Sequence, residues 1–115
     1  EDEEQKRLTF AQAETGASGI ETLLSLSLEQ YHNGNIKLET IIKALTSNPA
    51  KILQINKGNL SIGNDADFSI VDLNKPWIVK KENLYSKSKN TSIENKKLQG
   101  KVMNTFVKGE ELFKL

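Results

Sequence analysis

Gly16-Ala17-Ser18-Gly19-Ile20-Glu21-Thr22-Leu23-Leu24 is the stretch from which the fold of this chain is read. Two glycines three residues apart allow a turn at backbone angles that other residues resist. Ser18 followed by Glu21 has the form of a capping box, in which the hydroxyl accepts from a helical N–H and the carboxylate reaches back. A helix is expected behind it, because Ile20, Leu23, Leu24, Leu28 and Tyr31 recur at helical spacing and form one apolar stripe. Gly34 supplies a left-handed stop for that helix. Leu38, Ile41, Ile42 and Leu45 predict a second helix, and Asn48-Pro49 the start of a short third one through about Leu53, with asparagine as cap and proline in the first turn.

From Lys57 the punctuation changes. Gly58 and Gly63-Asn64 are turn signals, and Phe68, Ile70 and Asp72 alternate with neighbours as in a strand. Trp77-Ile78-Val79 predicts another short strand and Val102 to Val107 a longer one, rich in β-formers. Lys108-Gly109-Glu110 is a tight turn from which Leu112-Phe113 returns as a hairpin. Residues 80–99 are polar and lysine-rich and are expected to be an exposed loop. The organisation expected is therefore residues 1–56 as loop and helices and residues 57–115 as part of a small β-domain.

Composition excludes several classes of function. In 115 residues, sixteen basic groups nearly cancel fifteen acidic ones, so a net charge of +1 gives no footprint for nucleic acid or a membrane surface. No apolar run approaches the roughly 20 residues that span a bilayer. With no cysteine, disulfides and thiolate metal sites are excluded, which suits a reducing cytoplasm. The acidic opening Glu1-Asp2-Glu3-Glu4, without an initiator methionine, suggests that the sequence begins partway through a longer protein, and its carboxylates are expected to be a solvated strand-to-helix loop rather than a divalent-ion site.

The glycine turn, the Asn48-Pro49-Ala50-Lys51-Ile52 segment, the Gly63-Asn64-Asp65-Ala66-Asp67-Phe68 element and Ser86-Lys87-Ser88-Lys89-Asn90-Thr91 occur in the order and spacing of the C-terminal end of dihydroorotases, in the amidohydrolase superfamily, which the chain resembles from about Lys6 onward. Within that resemblance Ser25 stands where proline is usual, Thr15 where proline often precedes the glycine, and Ser92 where proline follows the threonine. The resemblance implies an α/β fold: the last helices of a (β/α)8 barrel plus C-terminal strands of a small β-sandwich domain. It implies a zinc-dependent hydrolase that interconverts N-carbamoyl-L-aspartate and dihydroorotate in pyrimidine synthesis. Two sister readings stay open: an allantoinase or hydantoinase, and a non-catalytic dihydroorotase-like subunit that partners aspartate transcarbamoylase. A homodimer and a freestanding helical and β domain are further possibilities.

The chemistry implied needs several histidine ligands and a catalytic aspartate at the end of the last barrel strand. This chain has one histidine, His32, so the resemblance places the zinc ligands and the catalytic aspartate upstream of residue 1, and the 115 residues alone are expected to be inert. What the resemblance leaves here is a substrate contact by backbone groups at the glycine turn, carried over to Thr15, Gly16 and Ala17. The plainer reading is that Gly16 and Gly19 only satisfy unusual backbone angles. His32, near the end of the first helix, is expected to be a surface or capping residue, Asp65 and Asp67 to shape a turn rather than act as an acid/base pair, and the lysines of 80–101 to be solvated rather than to bind nucleic acid.

Overall fold

A computed structural model describes residues 3–13 and 15–115. Helices precede strands: α1 (Glu3–Lys6), α2 (Leu23–His32), α3 (Leu38–Leu45) and α4 (Ser47–Ile52), then β1 (Phe68–Ile78), a 3-10 turn over Lys81–Asn83, β2 (Lys97–Val107) and β3 (Glu110–Lys114). The strands form one antiparallel sheet in the order β1-β2-β3, and α2 packs against β2. Of the acidic opening, Glu1 and Asp2 lie outside the described residues, while Glu3–Lys6 makes a single helical turn where a loop is expected.

The helical stop is where the sequence places it. Gly34 sits at φ 73°, and the N–H groups of Asn35 and Ile36 return to the carbonyl of Gln30, so the last carbonyls of α2 are satisfied across a left-handed residue. The start is not. The first residue of α2 is Leu23, preceded by Thr22, which makes no side-chain cap, and neither Ser18 nor Glu21 bonds to the helix terminus. The stripe is also rotated: Ile20 and Leu23 are exposed, while Thr22, Ser25 and Leu28, at successive steps of three, face the sheet. The third helix starts one residue before Asn48. It follows α3 after Thr46 alone, whose Oγ1 donates to the carbonyl of Ile42 at 2.7 Å. Pro49 still falls in the first turn, where a missing N–H costs nothing.

The two short strands expected over 68–72 and 77–79 are one element. β1 runs through 68–78 with a register irregularity between Asp72 and Pro76, and Pro76 is tolerated because β1 is an edge strand. From Val71 to Ile78 half-buried residues (Val71, Leu73, Lys75, Trp77) alternate with exposed ones. β2 begins at Lys97, five residues before the expected Val102. Its first four residues alternate exposed Lys97 and Gln99 with buried Leu98 and Gly100, the pattern of a strand with one face on a helix. This removes 97–99 from the expected exposed loop, and Leu84 within that loop is also buried. The hairpin between β2 and β3 turns at Lys108 (φ 51°) and Gly109 (φ 82°), two positive angles in succession, as a two-residue turn matched to strand twist requires.

The core lies between α2 and the sheet, where Leu28 and Val79 are fully enclosed beside Leu98 and Leu84. Burying Leu28 contributes on the order of 1.5–3 kcal/mol. Gly100 makes that burial possible: a Cβ there would stand 2.4 Å from Leu28 Cδ1, so the leucine occupies the space of the absent side chain. At the same point the Gly100 carbonyl accepts from Ser25 Oγ at 2.6 Å and from Trp77 Nε1 at 3.2 Å, and Ser25 Oγ lies 3.2 Å from that indole nitrogen. Lys101 Nζ lies 4.9 Å from the centre of the Trp77 ring. Ile41 and Ala50 form a smaller buried cluster where α3 meets α4.

Candidate functional site

Thr15, Gly16 and Ala17 lie together in an exposed segment without regular structure, directly ahead of Ser18. Gly16 has φ 91°, a conformation that side-chain-bearing residues rarely adopt, so the glycine is required by the turn itself. Its carbonyl accepts from Lys6 Nζ. Among the described residues, the N–H groups of Thr15, Gly16 and Ala17 meet no acceptor. Three neighbouring backbone donors at the surface are able to hold a carbonyl or carboxylate oxygen in exchange for water, at roughly 0.5–1.5 kcal/mol net per bond.

The position of this turn is set from a distance. Ser18 N donates to the carbonyl of Asn90 at 2.8 Å, and Ser18 Oγ donates to the carbonyl of Ser88 at 2.8 Å and lies 3.2 Å from Ser86 Oγ. Glu21 accepts from the backbone N–H of Tyr85 through Oε2 at 3.0 Å and from that of Ser86 through Oε1 at 2.9 Å. The sequence assigns Ser18 and Glu21 to a helix cap. The structure instead uses both to fasten the turn to residues 85–90, which are therefore an anchored segment rather than a free exposed loop. Leu84, buried beside them, fixes the near end. No local sequence signal announces this, because the partners that Ser18 and Glu21 take there are mainly backbone groups.

The other singled-out groups lie apart from the turn. Lys57 Nζ pairs with Asp65 Oδ2 at 2.7 Å and Asp67 Oδ2 at 2.5 Å, and Asp67 Oδ1 accepts from Lys108 N at 2.8 Å. The hydrogen bond from Lys57, then the one from Lys108, holds the Asp67 carboxyl below the usual carboxylate range, while the bonds to Asp65 and Asp67 raise the Lys57 ammonium. Asp67 thus ties the chain entering β1 to the Lys108 hairpin, and both carboxylates tie it to Lys57. Next to them, Gly58 lies so close to the α3–α4 junction that a Cβ would stand 2.8 Å from the Thr46 carbonyl oxygen. An open concavity of about 310 Å3 lined by Leu60, Ile62, Asp65 and Phe68 occupies this same region, not the glycine turn.

His32 closes α2, with its ring 5.2 Å from that of Tyr31. It is half-buried rather than a surface residue, and its Nε2 is enclosed with no hydrogen-bond partner among the described residues. Among the described residues the donors do not gather as a zinc site would need. There is one histidine and no cysteine, and among the described residues no three His, Asp or Glu side chains converge. No helix among the described residues is long and apolar enough to cross a membrane.

With this geometry in place, three comparisons bear on it. A sequence model of the amidohydrolase family matches residues 9–112. The chain is 41% identical over 108 residues to the dihydroorotase of Ehrlichia canis, covering 94% of this chain and 24% of that one. It is also 41% identical over 99 residues to the dihydroorotase of Aquifex aeolicus, covering 86% and 24%. The L-hydantoinase (dihydropyrimidinase) from Arthrobacter aurescens superposes with a TM-score of 0.85 at 30% identity, covering 90% of this chain and 24% of that one. A D-hydantoinase superposes with a TM-score of 0.87 at 22% identity over 96% of this chain and 25% of the other, which speaks for the fold. The chain spans about a quarter of the length of the curated relatives it matches. The mixed α/β fold with a three-stranded antiparallel sheet is thus one found in cyclic amidohydrolases. The chain belongs to the amidohydrolase family.

Proposed function

As a member of that family, this chain is, we propose, the C-terminal part of a dihydroorotase: the last barrel helices, over residues 1–56, and C-terminal strands of the small β-domain, over 57–115. The observation that carries the proposal is identity near 40% to dihydroorotases along almost the whole chain. The complete enzyme would act on dihydroorotate and N-carbamoyl-L-aspartate in the cytoplasm, as a step of pyrimidine synthesis, and would assemble as a homodimer or with aspartate transcarbamoylase. Zinc, where bound, supplies an activated hydroxide and polarises the ring carbonyl, and its ligands would come from residues outside this chain.

The part played by the present residues is binding. Thr15, Gly16 and Ala17 would offer their N–H groups to the oxygens of the pyrimidine ring. The support is the exposed turn itself, with Gly16 at φ 91° and backbone donors that no described residue uses. Donors fixed before the ligand arrives bind it without further ordering cost, which is the advantage of placing them on an anchored backbone. A Cβ at position 16 would oppose the turn's backbone angle, so Gly16→Val in the complete enzyme should raise KM for dihydroorotate. The 115-residue chain alone, supplied with zinc ions, should hydrolyse no dihydroorotate above a no-enzyme control. Turnover by the isolated chain would overturn the assignment of the chemistry to residues outside it.

The 30% identity and close superposition with an L-hydantoinase favour a second reading, a hydantoinase-type cyclic amidohydrolase. Both readings share the turn as a ring-oxygen contact and differ in the ring accepted. Side-by-side turnover of dihydroorotate and hydantoin separates them.

A further inference from the structure

The seam between the glycine turn and residues 85–90 does more than close a gap. α2 goes without a side-chain cap at Thr22, although Ser18 and Glu21 stand at capping-box spacing just ahead of it. Both residues spend their hydrogen-bonding capacity on partners 64 to 70 residues away. Glu21 receives two separate backbone donors, one on each side-chain oxygen, and a side chain of this length reaches both at once. Between the two anchors, Ile20 is 94% exposed and packs against little, while the Gly19 carbonyl accepts from the N–H groups of Thr22 and Leu23 and so joins the stretch to α2. Immediately before Ser18 come Ala17, Gly16 and Thr15, and beyond them the Gly16 carbonyl is held by Lys6.

We propose that Ser18 and Glu21 are positioning residues: by fastening the turn to residues 85–90 they set where the N–H groups of Thr15, Gly16 and Ala17 stand, and so the affinity of the site for a cyclic amide ring. The inference rests on the reading of that turn as a substrate contact. It adds that the 85–90 segment, which touches no substrate in this account, is part of the binding apparatus. Neither residue is a catalytic group, and the effect of losing either falls on binding rather than on bond cleavage.

The test uses the complete enzyme and the variants Glu21→Ala, Glu21→Gln and Ser18→Ala, each first checked for an intact thermal transition. Backbone hydrogen exchange in Glu21→Ala should quicken at Tyr85 and Ser86 and, together with them, at Ser18, whose N–H is held by the Asn90 carbonyl at the base of the turn. KM for dihydroorotate should rise about ten-fold, which corresponds to about 1.4 kcal/mol of lost binding, with kcat changed far less. Glu21→Gln, which keeps one oxygen acceptor, should recover part of the loss, and Ser18→Ala should repeat it in milder form. Faster exchange at 85–86 with unchanged exchange at Ser18, or with unchanged KM, overturns the inference while leaving the substrate reading intact. If the unsubstituted enzyme does not turn over dihydroorotate, the substrate reading fails, and the exchange data alone then decide whether Ser18 and Glu21 hold the turn.

Discussion

Replacing Gly100 with alanine should be strongly destabilising. The added Cβ would meet Leu28 Cδ1 at 2.4 Å and the Leu73 carbonyl oxygen at 3.4 Å, at a position whose φ is +99°. Holding a non-glycine residue in such a region costs on the order of 1–3 kcal/mol. Overpacking a filled core costs typically about 1–3 kcal/mol, and Leu28, fully enclosed, has little room to retreat. Displacing the Gly100 carbonyl also loosens its bonds from Ser25 and Trp77, worth about 1 kcal/mol each when made well. A loss of roughly 4 kcal/mol follows, a large part of the ~5–15 kcal/mol that holds a domain folded. In a chain of this size it should lower Tm by on the order of 15–25 °C. Urea titration followed by Trp77 fluorescence measures it, and the Leu28→Ala background separates the causes. If the clash dominates, Gly100→Ala costs little more in that background, giving a coupling of about 1–3 kcal/mol. If the backbone angle dominates, the two losses add. A Gly100→Ala variant within about 0.5 kcal/mol of the parent, the usual range for surface substitutions, would refute the close approach of α2 to β2.

Ser25→Ala removes a buried 2.6 Å bond to the Gly100 carbonyl and should lower stability by about 1–2 kcal/mol, read from the urea midpoint at unchanged slope. Asp67, held below its usual range by Lys57 and Lys108, contributes stability that is present above its unfolded value near 3.8 and is lost as pH falls through the lower folded value. The urea midpoint of the parent should therefore fall more steeply below pH 3.8 than that of Asp67→Asn, and equal slopes would contradict the pairing. Lys57 has the opposite sign: its raised value means that its contribution holds through neutral pH and is lost only in strongly alkaline solution. Lys108→Asn should raise Tm slightly, by about 0.5 kcal/mol in stability terms, because asparagine accepts the positive φ of 51° more readily and the backbone N–H to Asp67 is kept. Added salt should weaken the surface pairs first, Lys43 with Glu39 among them, and leave the Gly100 contact untouched.

What was legible in the sequence was what local chemistry decides. Gly34 ends α2 because only a left-handed residue satisfies the last carbonyls there, and Lys108-Gly109 turns the hairpin for the same kind of reason. The amphipathic spacing of Leu38 to Leu45 needs no partner to be recognised. Features decided by distant partners were misread. Ser18 and Glu21 have the spacing of a cap, but their partners at residues 85–90 lie far along the chain, and no local signal announces them. Lys97-Leu98-Gln99 reads as loop by composition, yet it opens a strand because Leu98, with Gly100 after it, is buried beneath α2. Ser25 passes as a substitution for proline, while its hydroxyl is buried against the Gly100 carbonyl. The candidate contact at Thr15, Gly16 and Ala17 came from family resemblance; the residues alone specify a turn there and nothing about its ligand.

Whether these residues serve a dihydroorotase is read most directly from turnover by the complete enzyme with dihydroorotate, hydantoin, dihydrouracil and allantoin under one set of conditions. The account predicts kcat/KM for dihydroorotate above the others by on the order of a hundredfold or more, as expected where buried polar groups of a site must be matched by the substrate. Preference for hydantoin or dihydrouracil, or no turnover of dihydroorotate at all, would contradict it.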